Sequence, residues 1–274
     1  MFIIQNLKYF FHIAYKGNNY HGWQRQANVL SVQEVIEEAL SRILKTPVIV
    51  MGCGRTDAQV HATQFFFHFE VDKEWDFDLL FRLNKLLPPD IAVFEIIPVK
   101  DSQHARFDAM QRTYDYFIHT SKDPFLSESS ALYMEKNLNL NEMKRGAELF
   151  MHHKDFKAFC KSPAKYRHTI CNISSSTLFR DASGSKIRFK ISANRFLSSM
   201  VRTMVGALLE IGRGKFTTEE LNYCITNKEL PEFIKPAYPQ GLYLTKVTYR
   251  YLDIPARSNF LSVLQSVEED WVVV

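Results

Sequence analysis

The residues with the clearest capacity for chemistry lie in one short run, Gly52-Cys53-Gly54-Arg55-Thr56-Asp57-Ala58-Gln59-Val60-His61-Ala62. The apolar, β-prone stretches Val48-Ile49-Val50-Met51 and Phe65-Phe66-Phe67-His68-Phe69 flank it. It therefore reads as a polar loop joining neighbouring strands. Loops carried on rigid strands are where proteins usually place their chemistry, which makes Asp57 a candidate. The same pattern also describes a plain hairpin in which Asp57 caps a turn through its own backbone. On this loop alone, both readings stand.

Other candidates are scattered along the chain. Arg202 follows Val201 at the edge of an apolar helical stripe, with Arg195 two turns before it. Either its head reaches solvent along an apolar stem, or it is a half-buried guanidinium in need of a carboxylate such as Asp57. Tyr114 and Tyr116 share one face of a strand, and spacing alone does not separate a core role from a functional one. Tyr20-His21-Gly22-Trp23-Gln24-Arg25-Gln26 sets aromatics beside Arg and Gln, a mixture that suits base stacking and base-edge contacts as well as anchoring of a loop. A basic stretch holds Lys157, Lys161, Lys165, Arg167 and His168. It is either a solvated loop or a phosphate-contacting one.

Spacing sets several chemistries aside. Gly52-x-Gly54 lacks the Lys and Ser/Thr of a phosphate-binding loop, His152-His153 has no H-E-x-x-H partner, and no G-x-S-x-G elbow occurs. Cys160, His168 and Cys171 could begin a zinc site but lack a fourth ligand at the usual spacing. Neither a metal nor a nucleotide cofactor is indicated. With no CxxC pair and no signal-like segment after Met1-Phe2-Ile3-Ile4, the four cysteines are expected to be reduced thiols in the cytoplasm. No apolar run is long enough to span a bilayer. A net charge of +4 and a pI near 8.7 fit an RNA partner without requiring one, because a nucleic-acid footprint usually means a pI above ~9.

These residues must be positioned by regular elements. Tyr9 to Tyr15 alternates as a strand, and Ser31-Val32-Gln33-Glu34 has the form of a capping box at a helix start. Val35, Ile36, Ala39, Leu40, Ile43 and Leu44 form that helix's buried stripe, and Glu37, Glu38, Arg42 and Lys45 its solvated face. Strands 48–51 and 63–70, a helix over 76–87 and a strand over 91–99 complete a β-α-β-β-α-β order. The order repeats with a strand at 113–120, a helix at 141–153, strands near 169–179 and 186–193, and an apolar helix over 195–211 closed by Gly212 and Gly214. A short helix at 218–226 and a strand at 242–251 follow. The expected fold is α+β: duplicated ferredoxin-like units forming one wide, mainly antiparallel sheet with helices on one face. Residues 1–106 form the half with the Asp57 loop and 107–274 the half with the Arg202 helix, and a cleft is expected where loops of both halves meet.

Seven blocks taken in order resemble one known family, the TruA-type tRNA pseudouridine synthases. They are Tyr20-His21-Gly22-Trp23-Gln24, Ser31-Val32-Gln33, Gly54-Arg55-Thr56-Asp57-Ala58-x-Val60-His61-Ala62, His104-Ala105-Arg106-Phe107, Arg112-Thr113-Tyr114-Asp115-Tyr116, Phe196-Leu197-x-x-Met200-Val201-Arg202-x-Met204-Val205-Gly206 and Gly241-Leu242-Tyr243-Leu244. The resemblance implies a homodimer that isomerises uridine to pseudouridine at positions 38, 39 and 40 of the tRNA anticodon stem-loop, without metal or cofactor. It also implies that Asp57 is the catalytic aspartate, Tyr114 the tyrosine stacked on the target uracil and Arg202 the arginine paired with Asp57. Arg55 is similar to the arginine that fills the place of the flipped base. Gln24, Arg25, Arg106, Lys161, Lys165 and Arg167 are expected to contact RNA.

One position departs from the pattern. The family has R-T-D-A-G-V-H-A where this chain has Gln59 in place of the glycine. Either the loop avoids the conformation glycine permits, or it bears strain. Two other readings remain open: a non-catalytic RNA-binding protein on the same fold, and a pseudouridine synthase acting at another RNA site.

Overall fold

The computed structural model describes residues 7–135, 137–256 and 271–274. The N-terminal Met1-Phe2-Ile3-Ile4 reading lies outside them. The protein is α+β, and the described residues form one mainly antiparallel sheet of ten strands with five helices. It divides into two compact units, Met1–Met110 with Leu244–Arg257 and Gln111–Tyr243 with Ser258–Val274.

The first unit follows the expected order: β1 (Leu7–Tyr15), α1 (Val32–Leu44), β2 (Met51–Gly52), β3 (His61–Val71), α2 (Leu79–Leu86) and β4 (Ile91–Val99). β1 is its central strand, antiparallel to both β3 and β4. Phe11 stands opposite Phe67 across β1 and β3, their rings stacked with centroids 4.8 Å apart. On the helix side Trp23 stacks on Phe65 at 4.1 Å, and Ile36, Leu40, Leu79 and Leu83 are buried. Ser31 caps α1 by accepting the Glu34 N–H. The reciprocal half of the capping box is replaced: the Glu34 carboxylate lies 3.5 Å from Arg25. The strand expected over 48–51 shrinks to the two residues of β2.

The second unit comprises β5 (Ala109–His119), β6 (Ala131–Leu132), α3 (Leu140–Leu149), β7 (Ile173–Asp181), β8 (Lys186–Ala193), α4 (Met200–Gly212), α5 (Thr218–Asn227) and β10 (Trp271–Val273), and β9 (Leu242–Tyr249) lies in the first unit from Leu244 on. β5 and β9 each cross its boundary with the first unit. Within this unit the strands run in the order β10-β7-β8-β5, with the short β6 parallel to β5. α3 meets α4 and α5 at Gly146, which lies against Ile211, Leu208 and Leu221. The helix expected over 195–211 starts only at Met200, because Ser199 takes a left-handed conformation (φ 61°) that keeps the preceding residues out of the helix. Arg195 and Phe196 are therefore loop residues. Gly212 is the last residue of α4 rather than its cap.

The core of the first unit contains an unusual titratable group. His68 of β3 is 4% exposed, stacks on Phe10, and accepts the Ala105 N–H at Nδ1. Burial, helped by His104 and Lys8 and opposed by Glu70 and Asp108, lowers its pKa to about 4. In the unfolded chain the same imidazole titrates near the ordinary 6.5. Its stabilising contribution is therefore complete above pH 6.5 and is lost as pH falls towards 4. Denaturant midpoints measured between pH 7 and pH 4.5 should decline more steeply for the wild type than for His68→Gln, and equal slopes would contradict this assignment.

Candidate active site

The Asp57 loop is fixed by a second loop, 17–26, that crosses it. Trp23 N–H donates to the Thr56 carbonyl at 3.3 Å, Gln59 N–H donates to the Tyr20 carbonyl at 3.0 Å, and the Tyr15 and Thr56 hydroxyls are 2.9 Å apart. Gly22 makes the crossing possible. Its φ is +89°, and a Cβ there would overlap the Thr56 carbonyl oxygen. Tyr20 and Trp23 are each 3% exposed, so both aromatics of this loop are core anchors rather than stacking surfaces for RNA. His61 is likewise buried, with Nδ1 accepting the Gly17 N–H.

Gln59 adopts φ +64°, the left-handed conformation that glycine takes without penalty. Between the two courses the sequence left open, the chain keeps the glycine-like path and bears the strain. That costs about 1–2 kcal/mol for a residue with a Cβ. Asp57 remains half-buried in a turn closed by the Val60 N–H to Asp57 carbonyl bond, and Arg55 is exposed beside it.

Loop 17–26 is fixed in turn by α1. The Val32 and Gln33 amides, two of the donors that a helix start leaves unpaired, bond to the Gly22 and Trp23 carbonyls. One turn further on, Glu37 gathers the surroundings. Oε1 accepts Val50 N–H at 3.1 Å and Gln33 Nε2 at 2.8 Å, while Oε2 accepts Arg25 Nε at 3.0 Å. Gln33 adds bonds to the Val50 carbonyl and from the Arg25 N–H. Helical periodicity places Glu37 on the solvated face, but it is 6% exposed. The i, i+4 pairing of Gln33 with Glu37 was the available signal. Arg25 is ion-paired with Glu37 and Glu34, whereas Gln24 is exposed.

In the second unit Tyr114 lies on β5 opposite Ile191, 8% exposed, with its ring edge-on to Phe196 at 5.1 Å. Tyr116, on the same strand face, is fully buried and donates its hydroxyl to the Tyr238 carbonyl. Its pKa is pushed far up by burial, an effect that nearby Arg202 partly offsets. Arg202 sits in the first turn of α4, half-buried. Its Nε donates to the Ala237 carbonyl at 2.7 Å, and its own carbonyl accepts the Ala237 N–H. Segment 235–238 can run this close because residue 206 is glycine; a Cβ there would overlap the Lys235 carbonyl oxygen. Consecutive carbonyls, Ala237 and Tyr238, thus fix the guanidinium plane of Arg202 and the Tyr116 ring.

Lys157, Lys161, Lys165, Arg167 and His168 are all exposed. Their loop is tied to the approach of α4 by Lys161 N–H to the Ser198 carbonyl and by Ser198 N–H to the Tyr166 hydroxyl. Arg195, half-buried, joins this cluster over the Tyr166 ring and beside His168. Among the described residues no group of three His, Cys, Asp or Glu could hold a metal ion. Burial raises the Cys171 thiol to about 11. No helix among them is long and apolar enough to cross a membrane.

A family model described as tRNA pseudouridine synthase matches residues 147–250, a span containing Lys161, Lys165, Arg167 and Arg202. The chain is 39% identical over 245 residues to the tRNA pseudouridine synthase A of Parabacteroides distasonis, covering 88% of this chain and 96% of that protein. It is 40% identical over 262 residues to the enzyme of that name from Bacteroides thetaiotaomicron, covering 95% and 97%. The Clostridium kluyveri enzyme of that name is 36% identical over 239 residues, covering 86% and 97%. The chain belongs to the tRNA pseudouridine synthase family.

In this family member the Asp57 loop depends on Glu37 at one remove. Glu37→Ala leaves the buried Val50 N–H without its acceptor and removes one of the two carboxylate partners of Arg25, and should lower unfolding free energy by about 1–3 kcal/mol. Glu37→Gln retains an acceptor for Val50 and should cost less than half as much. Urea denaturation checks both, and equal losses would show that the acceptor for Val50 contributes nothing and that the loss lies with the carboxylate charge.

Proposed function

We propose that this protein isomerises uridine to pseudouridine in tRNA, at positions 38, 39 and 40 of the anticodon stem-loop, with Asp57 as the catalytic aspartate. The observation that carries this reading is an aspartate held half-buried on a loop braced by two backbone hydrogen bonds to loop 17–26, in a chain similar over most of its length to tRNA pseudouridine synthases.

A uridine in a stem must leave its stack before a side chain can reach its glycosidic bond, at a cost of a few kcal/mol. Tyr114 offers a stacking face to the flipped uracil, and Arg55, exposed and next but one to Asp57, fills the vacated place. Asp57 acts as the anion on C6 of the base, on C1′ of the ribose or on a ribose proton. Arg202 pairs with it and keeps it charged once water is expelled. The C1′–N1 bond breaks, the uracil turns while held, and C1′ bonds to C5. The C5 proton is then lost and N1 gains one, so atoms balance without an external reactant. Gln24, Arg25, Arg106, Lys161, Lys165 and Arg167 contact the RNA backbone, which positions the substrate without reading its sequence. The enzyme works as a homodimer in the cytoplasm.

Release of tritium from tRNA carrying 5-tritiated uridine tests this reading. The wild type should release the label, and Asp57→Asn should bind tRNA as the wild type does while its release falls by at least roughly a thousandfold. Binding without release by the wild type would refute the isomerase, and wild-type release by Asp57→Asn would remove Asp57 from its role.

A further inference from the structure

One loop in the first unit is built with more care than a connector between β4 and β5 requires. His104 N–H donates to the Asp108 carboxylate at 2.8 Å, and the Asp108 N–H returns to the His104 carbonyl. The next three backbone donors all end on imidazoles: Ala105 N–H on His68 Nδ1, and Arg106 and Phe107 N–H on His104 Nδ1 at 3.0 and 3.3 Å. The Tyr249 hydroxyl donates to the Ala105 carbonyl and the Tyr251 hydroxyl to Asp108. Both imidazoles accept at Nδ1, so both serve this loop in their neutral form. Burial lowers the pKa of each, which keeps them neutral.

This scaffold holds two exposed side chains, Arg106 and Phe107. Phe107 is 73% exposed, an unusual place for a large ring in a rigid loop. Ring contacts run from the core to this point: Phe10 on His68 at 5.7 Å, His68 on His104 at 4.6 Å, His104 on Phe107 at 4.3 Å. The Phe107 ring is thus backed on one side and open on the other, with the Arg106 guanidinium 5.8 Å from its centroid. An aromatic face backed by the protein and edged by a cation matches the chemistry that holds unstacked bases, which lie on aromatic rings beside a phosphate-neutralising charge.

We propose that Phe107, with Arg106 beside it, is a stacking platform for an unpaired base of the RNA substrate. The proposal rests on the reading that the substrate is tRNA, and it assigns Phe107 to binding rather than to the isomerisation step. The ring already rests against His104, so stacking a base on its open face costs less ordering than it would for a ring with no such support. Arg106 answers the adjacent phosphate.

Affinity for fluorescein-labelled tRNA, measured alongside single-turnover tritium release at saturating protein, tests the platform. Phe107→Ala should weaken tRNA binding by roughly five- to a hundredfold, the range expected for loss of one base stack. Its single-turnover rate at saturation should stay within about twofold of wild type. Phe107→Trp should restore affinity, whereas Phe107→Leu, apolar but without a π face, should not. Wild-type affinity in Phe107→Ala, or full rescue by Phe107→Leu, would overturn the proposal. So would a loss of dimer mass in sedimentation with affinity unchanged, which would make the ring a contact with a second copy. If the wild type binds tRNA without releasing tritium, the isomerase reading fails while the affinity series still decides the platform. If the wild type does not bind tRNA, the proposal falls with that reading.

Discussion

The buried carboxylate of Glu37 is the constraint on which the first unit's functional loop depends. Its two oxygens tie α1 to Val50, just ahead of β2, and to Arg25 at the end of loop 17–26. That loop then lies across Thr56 and Gln59. A carboxylate out of water is costly unless its lone pairs are met, and here a backbone amide, a side-chain amide and a guanidinium meet them. The position of Asp57 is therefore inherited from a helix residue twenty positions earlier in the chain. The strained Gln59 is tolerated because the backbone around it is over-determined.

The second unit solves the same problem differently. Around Arg202 and Tyr116, segment 235–238 does so with main-chain carbonyls. Ala237 holds Arg202, Tyr238 holds Tyr116, and Gly206 gives the segment room. Backbone acceptors fix the direction of a guanidinium without neutralising it.

Much of this was legible in the residues. The period-two run of β8 and the 3.6-period stripe of α1 each bury one face, while β1, β3 and α4 read as apolar runs because they are buried nearly all round. What local pattern could not show was tertiary in origin. Glu37 sits where periodicity puts solvent, yet Val50 and Arg25 from outside the helix converge on it with Gln33. Helix α4 begins five residues late because Ser199 is left-handed, and no propensity marks that residue. Tyr20 and Trp23 have the composition of an RNA-facing loop and the burial of a core, a distinction set by Gly22 drawing the loop inward. Gln59 raised a real alternative, and only the backbone angle decided it. His104 falls in one of the seven blocks, but no local pattern marks it or His68 as an acceptor through a neutral imidazole.

In the proposed reaction this fold delivers Asp57 to uridines of a tRNA stem-loop and leaves pseudouridine behind. The most direct measurement is nucleotide-resolution mapping of pseudouridine in unmodified tRNA before and after incubation with the purified protein. The account predicts new pseudouridines confined to positions 38, 39 and 40. Treated tRNA with no pseudouridine at any position, under conditions where the protein binds it, would contradict the account.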